Sequence, residues 1–239
     1  MQLCKERWTK ADGEEFQKYL YTFSKGEEKG AWEKRIVNTA LPAIAVPGKE
    51  IDSIVRKIAK GNFLSFLDLW LWENHSDVLI NGKLIGKIKD FGTMKSYLTE
   101  FDFRADNWSA TDCIRFSFTK ENKEDFFNLA CGFIRDPHVF VRRQGLIILL
   151  KMTSFSEYED GILRAADSLF SETEYYVNMA NAWLIAECFT KFRDKTFAYL
   201  NGAPHLNAFT LNKAISKCRD SYRVSAEDKA FLATLRVRK

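Results

Sequence analysis

Apolar residues recur along this chain mainly at intervals of three and four, the spacing that places side chains on one face of an α-helix. Asp, Ser, Thr or Asn stands immediately before several of the resulting helix starts, as expected of N-caps. The pattern predicts helices over residues 12–24, 28–40, 50–60, 63–73, 76–89, 91–101, 108–118, 123–134, 139–152, 158–169, 175–188, 194–200, 210–220 and 226–234. No segment alternates like a half-buried strand, so the predicted fold class is all-α.

The pattern around two of these helices repeats. The segment DPHVFV at 136–141 opens one helix, and ETEYYV at 172–177 opens another, 36 residues later. A predicted antiparallel helix at 158–169 lies between them. A helix pair that recurs at this interval is typical of HEAT-like repeats, whose stacked pairs bury each other's apolar faces. We therefore predict a single HEAT-like domain over residues 1–239, an α-solenoid of stacked antiparallel helix pairs with a concave groove.

Composition narrows the class of protein. With 46% hydrophobic residues among 239, the chain can bury a core, and its net charge of +4 is mildly basic without requiring a polyanionic partner. No secretion signal stands at the N-terminus and no apolar run approaches the ~18 residues of a membrane span, so we expect a soluble cytoplasmic protein. The five cysteines show no CxxC spacing and the three histidines lie far apart. We therefore expect no metal site and no cofactor.

The sharpest candidate for chemistry is the pair Trp108 and Asp112, which project from the same face of a predicted helix because they lie four residues apart. Taken alone, the pair fits a packing Trp and a solvated or capping Asp better than a site. If the helix pairs stack, however, Arg143 and Trp183 face the same groove on successive repeats. A groove with two Trp, one Asp and one Arg suits binding better than a core.

Several segments resemble the AlkD-like family of DNA alkylation repair enzymes. They are NWSATD at 107–112, VFVRRQGLIIL at 139–149, YYVNMANAWLIAE at 175–187 and LNAFTLNKAISK at 206–217. Their order and spacing agree with the family over residues 105–222. Upstream, AVPGKEIDSI at 45–54 is similar to the family's helix start that a proline leads.

The resemblance implies a DNA glycosylase that hydrolyses the N-glycosidic bond of cationic alkylated purines, such as N3-methyladenine and N7-methylguanine, in duplex DNA. A base that is already cationic leaves without a general acid, and the transition state resembles an oxocarbenium ion. The resemblance assigns Asp112 to stabilising that charge and positioning water. Trp108 and Trp183 would contact the lesion nucleotide, and Arg143 would hold a phosphate or the carboxylate itself.

Further phosphate contacts are expected from Arg142, Lys213 and Lys217. Arg142 and Arg143 point roughly 100° apart on a helix, so at most one of them faces the groove squarely. Two other functions remain open: a non-catalytic protein that binds distorted or branched duplex DNA through the same groove, and a protein-interaction scaffold with no role on DNA. The expected partner is alkylated double-stranded DNA, bound by a monomer.

Overall fold

The computed structural model describes residues 1–202 and 204–237, in which helices are the only regular elements. The helices are α1 (Lys10–Tyr21), α2 (Glu27–Val37), α3 (Gly48–Ile58), α4 (Phe63–Leu67), α5 (His75–Ile85), α6 (Phe91–Arg104), α7 (Trp108–Asp112), α8 (Lys123–Phe133), α9 (Val139–Met152), α10 (Glu159–Asp167), α11 (Tyr175–Lys191), α12 (Arg193–Asn201), α13 (Ala208–Asp220) and α14 (Ala226–Thr234). A short 3-10 helix, Ser156–Tyr158, precedes α10. The predicted all-α class is confirmed, and helix pairs pack in series as in a helical repeat solenoid.

The chain divides into two compact units. The first is Met1–Ser117, which contains α1 to α7, and the second is Phe118–Lys239, which contains α8 to α14. The grouping of both into one domain stays a prediction, as does the concave groove.

Helix α5 is the centre of the first unit and packs against α3, α4, α6 and α7. All but two residues of α5 are buried, and they include the polar side chains of His75, Asp77 and Asn81 beside apolar ones. Helix α3 is instead amphipathic: Ile51, Ile54, Val55 and Ile58 are buried at the helical spacing and form one face toward the core.

The second unit is a series of neighbouring helices, in which α8 packs on α9, α9 on α11, and α11 on α13. The inner helices α9 and α11 are the most apolar of the series and are buried over most of their length. The apolar surfaces of α9 and α11 are therefore covered by the neighbouring helices of the series, as in stacked helical repeats.

The predicted 36-residue offset is confirmed, since α9 and α11 begin at Val139 and Tyr175. In each copy an acidic side chain, Asp136 or Glu172, accepts a hydrogen bond from the backbone amide two residues later, at 2.7 and 2.8 Å. Six residues after each acid, a side-chain N–H donates to the carbonyl oxygen of the acid. These N–H groups belong to Arg142, at 2.9 Å, and Asn178, at 3.1 Å.

Several predicted helices extend too far at their C-terminal ends, two of them by six residues. The helix predicted at 63–73 stops at Leu67, because Trp70 has a left-handed φ of 44° and Asn74 is already the N-cap of α5. The helix predicted at 108–118 stops at Asp112. There the backbone of Arg115 passes so close to Gly86 that a Cβ on Gly86 would lie 2.5 Å from the Arg115 carbonyl oxygen, and this contact requires the chain to leave the helix.

No helix in the described ranges combines the length and apolar character that a membrane crossing requires.

Asp102 in α6 is fully buried, and neither of its carboxyl oxygens has a hydrogen-bond partner among the described residues. Burial raises the pKa of this carboxyl well above its ordinary value. The folded protein therefore retains a proton that the unfolded chain loses above about pH 4. The contribution of the Asp102 carboxyl to the free energy of unfolding is therefore greatest at low pH, and it declines as the pH rises toward the folded-state pKa.

We expect Asp102→Asn, which is neutral at every pH and nearly isosteric, to remove this dependence. Relative to wild type, the variant should gain about 1.4 kcal/mol per pH unit above pH 4, until the folded-state pKa is reached. Urea unfolding of both proteins between pH 4 and pH 8 measures the difference. A stability difference that does not change with pH would show that Asp102 ionises normally in the fold.

Candidate DNA-binding residues in each unit

Trp108 and Asp112 are the first and last residues of the five-residue helix α7. The helix starts where it does because the Asn107 side chain, itself buried, accepts hydrogen bonds from the backbone amides of Ser109 and Ala110 at 2.9 and 3.2 Å. One helical turn therefore separates the indole from the carboxylate, as the spacing predicted. Both side chains are half-buried.

The end of α2 holds the Trp108 side chain in place. The Trp108 Nε1–H donates to the carbonyl oxygen of Ile36 at 3.4 Å. Just before α7, the Asp106 carboxylate accepts hydrogen bonds from the Thr39 hydroxyl, at 2.8 and 2.9 Å, and from the Ala40 amide, at 2.6 Å. These contacts join two segments that are more than 60 residues apart, so the position of Trp108 depends on how closely α2 packs.

Helix α2 approaches the rest of the first unit through a glycine. A Cβ on Gly30 would lie 2.2 Å from the carbonyl oxygen of Ala43. Gly30 and Val37 are the buried residues of α2, whose other residues are largely exposed. The close approach at Gly30 thus sets the distance between α2 and its neighbours.

Asp112 combines partial burial with a local hydroxyl partner. The Thr111 hydroxyl lies 3.1 Å from the Asp112 Oδ1 atom and 3.0 Å from the Trp108 carbonyl oxygen. A carboxylate one turn from an indole presents a negative oxygen and a π-face together, and both attract positive charge. This turn of the first unit can therefore stabilise a cationic species that reaches its surface.

In the second unit, the two arginines of α9 have different surroundings. Arg143 is only 4% exposed and donates from Nη1 to the Tyr176 carbonyl oxygen at 2.7 Å. Arg142 pairs with the Glu172 carboxylate at 2.7 and 3.3 Å and also donates to the carbonyl oxygens of Asp136 and Pro137. A phosphate would have to compete with Glu172 for Arg142, so the DNA contact of Arg142 stays a prediction.

Trp183 and Lys217 come together on neighbouring helices. Trp183, on α11, is 39% exposed, and the Lys217 ammonium on α13 lies 5.9 Å from its ring centroid. One turn earlier on α13, the Lys213 ammonium lies 5.7 Å from the ring of Phe209. Both pairs combine a cation with an aromatic face, which favours their association at the surface.

A cleft of about 320 Å³ opens beside Trp183. Its lining residues are Trp183, Ala186, Glu187, Thr190, Lys217, Asp220, Ser221 and Arg223. Arg223 makes a two-point ion pair with Glu187 at 3.0 and 2.7 Å, and this guanidinium lowers the pKa of the Glu187 carboxyl. The Lys217 ammonium therefore lies in a cleft whose arginine already has a carboxylate partner.

The predicted site residues thus divide between the two units. Trp108 and Asp112 belong to the first; Arg142, Arg143, Trp183, Lys213 and Lys217 belong to the second. Across the described part of the chain, no three His, Cys, Asp or Glu residues are grouped as metal ligands.

Sequence reasoning assigned no role to Glu172, the partner of Arg142, or to Glu187, the partner of Arg223. It also assigned none to Tyr175 and Phe209. Tyr175 precedes Trp183 by two helical turns, and Phe209 precedes Lys213 by one, so the helical spacing was a usable signal. The ion pairs had no such signal, because their members lie 30 and 36 residues apart.

The helix pairs pack in series, and the second unit presents lysines beside exposed aromatic rings, Lys217 at Trp183 and Lys213 at Phe209. These features describe a helical-repeat protein whose surface cations can contact a polyanion. The family model of DNA alkylation repair enzymes matches residues 8–218, across both units. The chain therefore belongs to the family of AlkD-like DNA alkylation repair enzymes, and this membership supports a role in the repair of alkylated DNA. The match begins far upstream of the block at 105–222 that carried the resemblance. Neither the curated proteins nor the solved structures gave a match.

We expect Gly30→Ala to destabilise the first unit by about 1–3 kcal/mol, because the added methyl group overlaps a backbone carbonyl and α2 must move. The matched control is Gly132→Ala in α8, where nothing lies within 4 Å of the added Cβ. The control should gain up to about 1 kcal/mol from helix propensity. Thermal unfolding followed by circular dichroism compares them, and equal shifts for the two variants would contradict the close packing of α2.

Proposed function

We propose that this protein is a DNA glycosylase that hydrolyses the N-glycosidic bond of cationic alkylated purines, among them N3-methyladenine and N7-methylguanine, in duplex DNA. The observation that carries the proposal is the Trp108–Asp112 turn in a member of this repair family. The Asn107 cap holds an indole and a half-buried carboxylate one turn apart. That combination suits a reaction that develops positive charge on a sugar.

The chemistry needs little from the protein besides electrostatic stabilisation. Alkylation leaves the purine positively charged, so when the bond between the sugar C1′ and the purine nitrogen breaks, its electrons neutralise the base. The base therefore leaves without a general acid, while the sugar becomes oxocarbenium-like. The Asp112 carboxylate stabilises that sugar cation and orients the water whose oxygen bonds to C1′. The proton that this water loses passes to the carboxylate or to solvent.

The other predicted residues bind DNA in this proposal. Trp108 and Trp183 contact the deoxyribose of the lesion nucleotide, since an indole face attracts the developing positive charge. Arg143 holds a phosphate once its guanidinium leaves the Tyr176 carbonyl oxygen, since the side chain is only 4% exposed without DNA. Lys213 and Lys217 neutralise phosphates of the duplex, as Arg142 does once DNA displaces Glu172. The reaction uses neither a metal ion nor an organic cofactor, and a monomer suffices.

Asp112→Asn is the direct test of the catalytic role. On methylated duplex DNA, wild type should release N7-methylguanine and N3-methyladenine, and the variant should release them about 10²–10³-fold more slowly because the stabilising charge is lost. The measurement is single-turnover release of free base at saturating protein. The matched control is Asp125→Asn, which removes an exposed carboxylate in the first turn of α8 and should leave the rate unchanged.

If wild type releases no base while it still binds the duplex, the glycosylase proposal fails, and the non-catalytic binder of distorted DNA replaces it. If wild type neither releases base nor binds duplex DNA, the interaction scaffold remains. If both Asp variants keep the wild-type rate, glycosylase activity stands and Asp112 is not its catalytic residue.

The contribution of Lys213 can be measured without catalysis. Lys213→Gln removes one exposed charge, so we expect the slope of log Kd against log salt to fall by about 0.9 on undamaged duplex. Lys18→Gln in α1 removes an equally exposed lysine that is outside the predicted DNA contacts, and should not change the slope. Fluorescence anisotropy between 50 and 200 mM salt provides both numbers. Identical slopes for all three proteins would remove Lys213 from the DNA-contacting residues.

A further inference from the structure

Exposed aromatic rings meet at the N-terminal ends of α11 and α13. Tyr175 is 56% exposed and Phe209 is 39% exposed, and their ring centroids lie 5.9 Å apart at an interplanar angle of 64°. Tyr175 also contacts Tyr176 at 5.4 Å, and Tyr176 contacts Phe140 of α9 at 5.7 Å. Two large rings that stay this exposed while touching each other form an apolar surface that favours a binding partner. We call Tyr175, Phe209 and Lys213 the aromatic platform.

The aromatic platform continues toward Trp183. Tyr175 and Trp183 are eight residues apart on α11, which places them just over two turns apart, about 12 Å along the helix axis and about 80° around it. Phe209 and Lys217 have the same separation on α13. Since Tyr175 touches Phe209 at one end and Trp183 lies beside Lys217 at the other, the two helices present one continuous strip.

The charge of the strip indicates what covers it. The ammonium groups of Lys213 and Lys217 each lie near an aromatic face of the strip. Glu172 is paired with Arg142, and Glu187 with Arg223, so the carboxylates of these two residues are neutralised by arginines. Two further exposed acids lie near the strip: Glu174, at the N-cap of α11, and Asp220, which lines the cleft with Trp183 and Lys217. Rings that alternate with lysines match the backbone of a DNA strand, which presents deoxyribose sugars between phosphates.

We propose that the aromatic platform binds the DNA strand three to four nucleotides away from the nucleotide at Trp183. In this proposal the duplex axis runs parallel to α11, so the 12 Å along the helix corresponds to three to four base pairs at a rise of ~3.4 Å each. Tyr175 and Phe209 pack against the deoxyribose sugars of this strand, and Lys213 contacts the phosphate beside them. This inference rests on the proposed function, because it takes Trp183 as the contact to the lesion nucleotide.

The first test compares Tyr175→Ala/Phe209→Ala with Phe170→Ala in binding to an unmodified duplex. Phe170 is 59% exposed in the turn before α11, outside both helices of the strip, so it controls for the loss of an exposed ring. We expect the double variant to bind about tenfold more weakly, equivalent to ~1.4 kcal/mol, and the control to bind like wild type. Equal affinities for all three proteins would overturn the inference. Circular dichroism melts establish that the variants fold.

The second test measures the distance from the lesion. It uses duplexes with a central abasic-site analogue, truncated on one side or the other so that they end two base pairs from the analogue. One of the two truncations should remove the DNA that the platform contacts. On that duplex, the affinity of wild type should fall by the factor that separates the double variant from wild type on the full-length duplex. The affinity of the double variant should not fall further. A loss by the double variant that persists on both truncated duplexes would overturn the proposed position.

These measurements separate the platform from catalysis. If wild type releases alkylated bases but the double variant binds duplex DNA normally, the platform proposal fails and the glycosylase proposal stands. If wild type releases none while the double variant binds unmodified duplex more weakly than Phe170→Ala, the platform stands and the glycosylase proposal fails. Sedimentation of the same proteins without DNA tests whether a second copy of the chain covers the strip instead. If wild type and Phe170→Ala are dimers, while the double variant is a monomer with unchanged DNA affinity, the strip is a contact between copies and the platform proposal fails.

Discussion

The packing of the second unit depends on Glu172, which joins the starts of three helices. Its carboxylate accepts hydrogen bonds from Arg142 of α9 and from the two backbone amides that follow it. Its backbone carbonyl accepts from the side-chain amides of Asn178 in α11 and Asn207 at the start of α13. With a side chain only 7% exposed, Glu172 is a nearly buried charge, and removing its arginine would leave it uncompensated.

Because Glu172 and its partners bring these helix starts together, the exposed faces of α11 and α13 begin side by side. This alignment explains why Tyr175 meets Phe209 and why Trp183, two turns further along, meets Lys217. The first unit uses the same kind of constraint at smaller scale, where the Asn107 cap and the Asp106 contacts position a single turn. In both units, buried or half-buried polar side chains near helix starts orient the candidate functional residues.

Sequence reasoning succeeded where the relevant interaction is local. All fourteen α-helices of the described residues were predicted, and so was the 36-residue offset between the starts of α9 and α11, because apolar spacing and capping residues act within a few positions. It failed most clearly at residues 68–73 and 113–118, which are apolar enough to continue a helix. The start of α5 requires a different conformation in the first case, and the backbone contact with Gly86 requires it in the second.

The sequence by itself determined the fold class, the repeat, the family and the close pair Trp108 and Asp112, because each is encoded in residues that are near one another or in a fixed order. Only the tertiary structure decided that Arg143 is buried, that Arg142 is paired with Glu172, and that Lys217 lies at the Trp183 ring. The physical reason is that the side-chain partners come from different helices. Which helix faces meet is set by packing over the whole unit, and no local spacing records it.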